Sequence, residues 1–229
     1  EVTTDNKRIV TFSPVLRERL GHHIHGEIWA STIKKKLDET NLLARPIHII
    51  SANMHSVMNT LYSPLALTTE FEKYSAMEIY EMLSDSKNSL LRKKVMKYAS
   101  ENGLIYIKDT SGTNINVQII DTSKLPNNLS VESNKDKPVI IVMDYAFGEQ
   151  AFETMDELLK PYKISKKETQ FLDVRSVSIM GKAGILEGGK GDIMIPSAHV
   201  FEGTADNYPF KNMLKKSHFK GETVNVSKG

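Results

Sequence analysis

The sequence predicts an α/β protein of three layers, α/β/α, with a mixed central sheet and a helix-rich N-terminal half. Three observations point there. Apolar residues recur at helical spacing through much of residues 14–102. "PVIIVMDY" (Pro138–Tyr145) is a continuous apolar run of the kind found in strands buried on both faces. An amphipathic helix and further strands follow it, an alternation that covers a sheet from both sides.

Taken in order, Ser13-Pro14 reads as an N-cap with proline at the first helical position. Leu16, Leu20, Ile24 and Ile28 then recur at helical spacing, predicting a helix from about Pro14 to Leu37 across Gly21 and Gly26. Arg45-Pro46 stops it, and "IHII" (Ile47–Ile50) predicts a short strand. Ser51 or Asn53 can cap the next helix, which carries Met54, Val57, Met58 and Leu61. Ser75 and Glu78 form a capping box ahead of Met82 and Leu83. Leu91, Val95 and Tyr98 mark another helix, ending near Asn102-Gly103.

The period then changes. "LIYIKD" and "INVQIID", separated by Thr110–Thr113, predict a β-hairpin. Leu125–Lys137 is polar and turn-rich and reads as a mobile loop. "FGEQAFETMDELLKPY" predicts an amphipathic helix with Phe147, Ala151, Met155 and Leu158/Leu159 inward. "VRSVSIMG" and "GDIMIPSAHV" complete the strands of the predicted layer. The expected division is a helix-rich region, 1–102, packed on or inserted into the core, and an α/β domain, 103–229.

Composition bounds the function. The chain has 229 residues, 40% hydrophobic and 25% charged, and a formal net charge of +2. That balance gives no electrostatic case for nucleic acid or a membrane as partner. The absence of cysteine excludes disulfides, thiolate zinc sites and thiol catalysis, and fits the cytoplasm. No apolar run approaches the roughly 20 residues a membrane-spanning helix needs.

Five constellations could carry chemistry. Gly181-Lys182-Ala183-Gly184 follows the strand Val177–Met180; its glycines let backbone N–H groups approach an anion, and Lys182 adds a charge. The same glycines serve equally to turn the chain. After the next strands, Glu202, Thr204, Asp206 and Asn207 cluster around Gly203, as site residues or as turn chemistry. Gly148 and Glu149 sit at the start of the amphipathic helix, where Glu149 could face a crevice. His22, His23 and His25 lie close together near Glu27, but the spacing supplies no clean third metal ligand, so packing or a subunit contact is the expectation and no metal is assigned. His55 and Asn59 share a helical face after "IHII".

In their order, these pieces resemble the nucleoside phosphorylase/nucleosidase superfamily, and within it the AMP nucleosidase branch. "IVMDYAFGEQAFETMDELL" matches its strand with a Gly-containing turn, the G-K-x-G loop its glycine loop, "GDIMIP" its G-D-strand-Pro element and "EGTADNYP" its E-G-T-S/A segment. The likeness spans about Pro138 to Phe210. It implies a phosphorylase-like fold and cleavage of a purine N-glycosidic bond through an oxocarbenium-like ribosyl centre. By the same resemblance Gly181, Lys182 and Gly184 hold the anion or ribosyl group, and Gly148 and Glu149 help form the anion pocket. Glu202, Thr204, Asp206 and Asn207 lie beside base and ribose, with Asp206 the catalytic candidate. A nucleotide or nucleoside as ligand, phosphate as a second one, no cofactor and a homo-oligomeric state are implied too. Glu149 would repel phosphate, which favours water as the nucleophile and hydrolysis over phosphorolysis. The superfamily's M-E helix and Ser-Asp pair have no counterpart before Gly229, so the expectation divides between a chain that continues and a non-catalytic nucleotide-binding relative.

Overall fold

A computed structural model describes residues 23–125, 137–182, 184, 188–189, 191–200, 207–209, 211–219 and 226–228. The chain divides into two compact units, residues 1–181 and 182–229. The first holds a five-stranded sheet with helices on both faces, the three-layer α/β/α arrangement with a mixed sheet.

Its elements are α1 (His23–Glu39), β1 (Ile47–Ser51), α2 (Met54–Ala66), α3 (Thr68–Phe71), α4 (Ala76–Ser84), α5 (Ser89–Glu101), β2 (Leu104–Ile107), β3 (Val117–Asp121), β4 (Val139–Met143), α6 (Gly148–Leu159), β5 (Tyr162–Lys163), β6 (Thr169–Gln170) and β7 (Val174–Ile179). The sheet order is β2-β3-β4-β1-β7. β4, β1 and β7 run parallel, while β3 is antiparallel to both of its neighbours. β1, from the helix-rich first part of the sequence, therefore lies between two strands of the second part. One row across the sheet reads Val117, Met143, Ser51, Ile179.

Strand alternation sorts the core into two faces. Ile47, Ile49, Val117, Ile119, Val139, Ile141 and Met143 pack under α1 and α6. Ile120 and Val142 pack under α2, α4 and α5. All five β3 residues are buried, Gln118 among them.

Local chemistry agrees with the sequence at most helix ends. Asn53 rather than Ser51 caps α2, its side chain accepting from the N–H groups of His55 and Ser56. Ser75 and Glu78 make the predicted reciprocal capping box on α4. The 104–107 and 117–121 strands pair as the predicted hairpin.

Two helical faces differ from expectation. In α1, Ile24 and Ile28 are exposed, and the inward stripe is Gly26, Trp29, Ile33 and Leu37. Gly26 lies against α6, where a Cβ would come 3.4 Å from the Glu153 carbonyl, at ordinary contact distance. Trp29 fixes the rotation by donating from Nε1 to the Ile115 carbonyl at 2.9 Å. In α6, Phe147 and Leu159 are exposed, whereas Thr154, Glu157 and Leu158 are buried against α1. Lys34 replaces apolar contact at that helix's end. Its buried Nζ donates to the carbonyls of Glu157 and Lys160 at 2.7 and 2.6 Å, placing a cation at the negative pole of α6.

Arg45 ties the loop after α1 to the β3–β4 connection. It pairs with Asp121 at 2.6 Å and donates to the carbonyls of Lys137 and Pro138. The predicted mobile loop, Leu125–Lys137, falls outside the described residues apart from its ends, as does the stretch from Pro14 to His22.

The second unit corrects one expectation. β8 (Ile193–Ile195), β9 (Ala198–Val200), β10 (Asn207–Pro209) and β11 (Val226–Lys228) do not extend the central sheet. β8 pairs in parallel with β11 and β9 pairs antiparallel with β10, as separate two-stranded pieces. Each pair satisfies its backbone groups with its own partner strand.

Candidate site at the ends of the parallel strands

β1 and β4 are adjacent and parallel, yet the chain leaves them for opposite faces: β1 into α2, β4 into α6. Such divergence marks the switch point beyond whose strand ends open α/β sheets commonly take a ligand. The segments that reach this end are Ala52-Asn53, Asp144–Phe147 and, after β7, Met180-Gly181.

The two helix N-termini there are unlike. Asn53 satisfies two N–H groups of α2, at 2.9 and 3.3 Å. α6 has no such acceptor: Phe147 at its N-cap offers no side-chain hydrogen bond. Gly148 adopts φ +54, and a Cβ at that position would meet nothing within 4 Å. Among the described residues the N–H groups of Gly148, Glu149 and Gln150 have no acceptor. Three free donors at a positive helix pole attract an anion.

Beside them stands an aromatic pair. Tyr145 and Phe147 stack with ring centroids 6.1 Å apart and planes inclined by 30°. Phe147 is 75% exposed, so its face is open to a planar ligand. Tyr145 also meets Gly181, where a Cβ would lie 3.8 Å from the ring.

A stiff loop, residues 108–116, buttresses this end. The Asp109 carboxylate accepts from the N–H groups of Ser111, Gly112 and Asn114 and from the Ser111 hydroxyl. Burial pushes the Asp109 carboxyl up, but these hydrogen bonds outweigh it and hold the group below its ordinary pKa. Asp109 is therefore a fixed carboxylate at neutral pH and supplies no proton. The loop grips its neighbours in turn: Asp144 N–H donates to the Asn116 carbonyl, and Gln150 Nε2 to that of Thr113. His25 Nδ1 lies 2.6 Å from the Ser111 carbonyl, which can only accept, so Nδ1 carries the proton.

The predicted site residues fall into three groups. Gly148, Glu149 and Gly181 come to this one end of the sheet, the first two exposed at the start of α6. Lys182 and Gly184 are exposed residues of the second unit, and Asn207 opens β10 opposite Val200. Glu202, Thr204 and Asp206 lie outside the described residues, as does His22. Among the described residues, no three of His, Cys, Asp and Glu gather as metal ligands, and no helix is long and apolar enough to cross a membrane. His55 is exposed in the first turn of α2.

Sequence reasoning missed Tyr145 and Gln150, and left the cap of α2 open between Ser51 and Asn53. The signal for the aromatic pair was present in "DYAF": two rings directly after a buried strand, before any helical period begins.

Comparison with known proteins places residues 73–227 in a family described as a family of unknown function (DUF6909). No curated protein and no solved structure matches the chain.

Proposed function

We infer, given that the chain belongs to the DUF6909 family of unknown function, that it binds an anionic small molecule of the nucleotide or nucleoside class at the C-terminal ends of β1 and β4. The observation that carries this reading is the open N-terminus of α6 directly beside the exposed Tyr145–Phe147 pair. Free N–H groups on Gly148, Glu149 and Gln150 suit a phosphate, and a ring face suits a purine. Gly181, against Tyr145, keeps the approach narrow but free of side chains.

In its catalytic form the reading is hydrolysis of a purine N-glycosidic bond, for which the sequence resemblance offers Asp206, outside the described residues, as catalytic candidate. Glu149, in the first turn of α6, opposes a second free anion, so water rather than inorganic phosphate is the nucleophile that the residues favour. Phosphorolysis and non-catalytic nucleotide sensing are its alternatives. A cytoplasmic setting, which suits a chain without cysteine, and assembly into homo-oligomers belong to the same proposal.

The test is calorimetric titration of the full chain with AMP, adenosine and ribose 5-phosphate, with free base followed by chromatography in the presence and absence of phosphate. AMP should bind more tightly than adenosine, and Phe147→Ala, which changes an exposed ring, should weaken AMP by about tenfold while thermal unfolding stays unchanged. Adenine released without phosphate identifies hydrolysis; adenine released only with phosphate identifies phosphorolysis. Binding without release identifies the sensing form. If none of the three ligands binds at millimolar concentration, the nucleotide reading fails.

A further inference from the structure

The second unit carries a short surface segment that the strand-end site does not use. Residues 211–219 read Lys-Asn-Met-Leu-Lys-Lys-Ser-His-Phe, and no Asp or Glu occurs between Asn207 and Gly221. Lys211, Lys215 and Lys216 are all exposed. Between them, Met213 and Leu214 are 76% and 54% exposed. Adjacent aliphatic side chains held in water next to three cations form a local amphipathic patch in a chain whose net charge is only +2.

The exposure is built rather than incidental. Asn212 pins one side: its Nδ2 donates to the Pro196 carbonyl at 3.2 Å, and its Oδ1 accepts from the Leu214 N–H at 3.0 Å. A turn pins the other. The His218 N–H donates to the Lys215 carbonyl at 2.9 Å, and His218 Nδ1 accepts from the Lys215 N–H at 3.2 Å. The single helical turn Lys216–Phe219 follows, with Phe219 half-buried. Both anchors hold the backbone on either side of Met213 and Leu214.

We propose that this segment docks on an anionic lipid bilayer, with Met213 and Leu214 entering the boundary between headgroups and acyl chains. Lys211, Lys215 and Lys216 then lie at headgroup level, their stems along apolar surface and their ammonium groups on lipid phosphates and carboxylates. The charge of the whole chain gives no general attraction to such a surface; the local concentration of lysine supplies it.

The side-chain chemistry favours a bilayer over the other acidic partners. Nucleic acid is gripped by arginine forks and by exposed aromatic rings on which bases stack. Here the cations are all lysine, and the Phe219 ring is half-buried. A stable protein partner would need about 800 Å² of contact on each side, far more than two side chains offer. A bilayer needs only a shallow apolar tip with cations around it.

The experiment is sedimentation of the full chain with sucrose-loaded vesicles, either phosphatidylcholine alone or phosphatidylcholine mixed with phosphatidylserine. The chain should pellet with the anionic vesicles, remain in solution with the neutral ones, and be released by raised salt. Met213→Ser with Leu214→Ser, and separately Lys215→Glu with Lys216→Glu, should each lower the partition coefficient by about tenfold or more. All four side chains are exposed, so unchanged circular dichroism is expected of both variants. Equal pelleting with neutral vesicles, no pelleting with anionic ones, or undiminished binding of either double variant would overturn the proposal. Binding to a single-stranded oligonucleotide that needs the lysines but survives the loss of Met213 and Leu214 would overturn it too, in favour of nucleic acid.

Discussion

Replacing Gln118 by methionine should stabilise the protein. Gln118 sits on β3, 1% exposed, on the sheet face under α2. Its Oε1 has no hydrogen-bond partner among the described residues, and its Nε2 points at the Met58 sulfur 3.9 Å away. A buried carbonyl left without a partner costs about 1–3 kcal/mol, and a thioether is too weak an acceptor to recover the amide's share. Methionine keeps the unbranched shape and the length, and removes both polar atoms from a site lined by Met58, Ile120 and Val142. Its slightly larger volume offsets part of the gain, since overpacking costs about 1–3 kcal/mol where a core cannot give. Met58 is itself flexible, so a net gain of about 1–2 kcal/mol is expected, and at about 2–4 °C per kcal/mol that raises the melting temperature by a few degrees. Urea unfolding followed by circular dichroism measures it, with Gln118→Glu as a control that should destabilise by burying a charge. A loss of more than about 1 kcal/mol in Gln118→Met would refute the reasoning, because it would mean the amide is hydrogen-bonded in solution.

Three other perturbations are set by the packing. Lys34→Ala leaves the carbonyls of Glu157 and Lys160 without their cation and should cost about 2–3 kcal/mol by the same unfolding assay, with hydrogen exchange rising first in the last turn of α6. Burial raises the Asp121 carboxyl, but hydrogen bonds from Ser123 and Arg45 outweigh it, so its folded pKa lies below the ordinary value of 3.8. The stability this group contributes is thus complete above about pH 4 and is lost as the pH falls from there through the folded pKa. Asp121→Asn should be less stable than the native chain by about 1–3 kcal/mol at pH 7, and the difference should shrink below pH 4 in acid titrations of the unfolding midpoint. Asn53→Ala, removing the cap of α2, should cost about 1 kcal/mol in urea unfolding.

What could be read beforehand was whatever depends on near neighbours in the chain. "IHII" and "PVIIVMDY" are apolar runs rich in β-branched residues, and they form the central strands β1 and β4. The capping box at Ser75 is a four-residue pattern and appears as written. Failures came where distant partners decide. A count of apolar residues in α1 cannot see the hydrogen bond from Trp29 to the distant Ile115 carbonyl that ties the other face inward. Phe147 reads as the start of an inward stripe, yet it precedes the first helical residue and lies outside the helix's period. The strands between Ile193 and Pro209 look like those of the main sheet, and only their pairing with each other and with Val226–Lys228 separates them from it. At the site, Gly148, Glu149 and Gly181 were legible because strand ends and glycine turns are local signals. The Tyr145–Phe147 pair was not, because Phe147 was read into the helical period although both rings stand before it.

The position of β1 has a consequence for synthesis. Ile47 pairs with Val139 on one side and Val174 on the other, so the first strand made waits for both neighbours. At ordinary elongation rates the interval before Val139 leaves the ribosome is about 5–20 s. Throughout it "IHII" is an apolar strand with two bare edges, attached to helices that have no sheet to cover. β1 therefore keeps a bare edge until both β4 and β7 have been made.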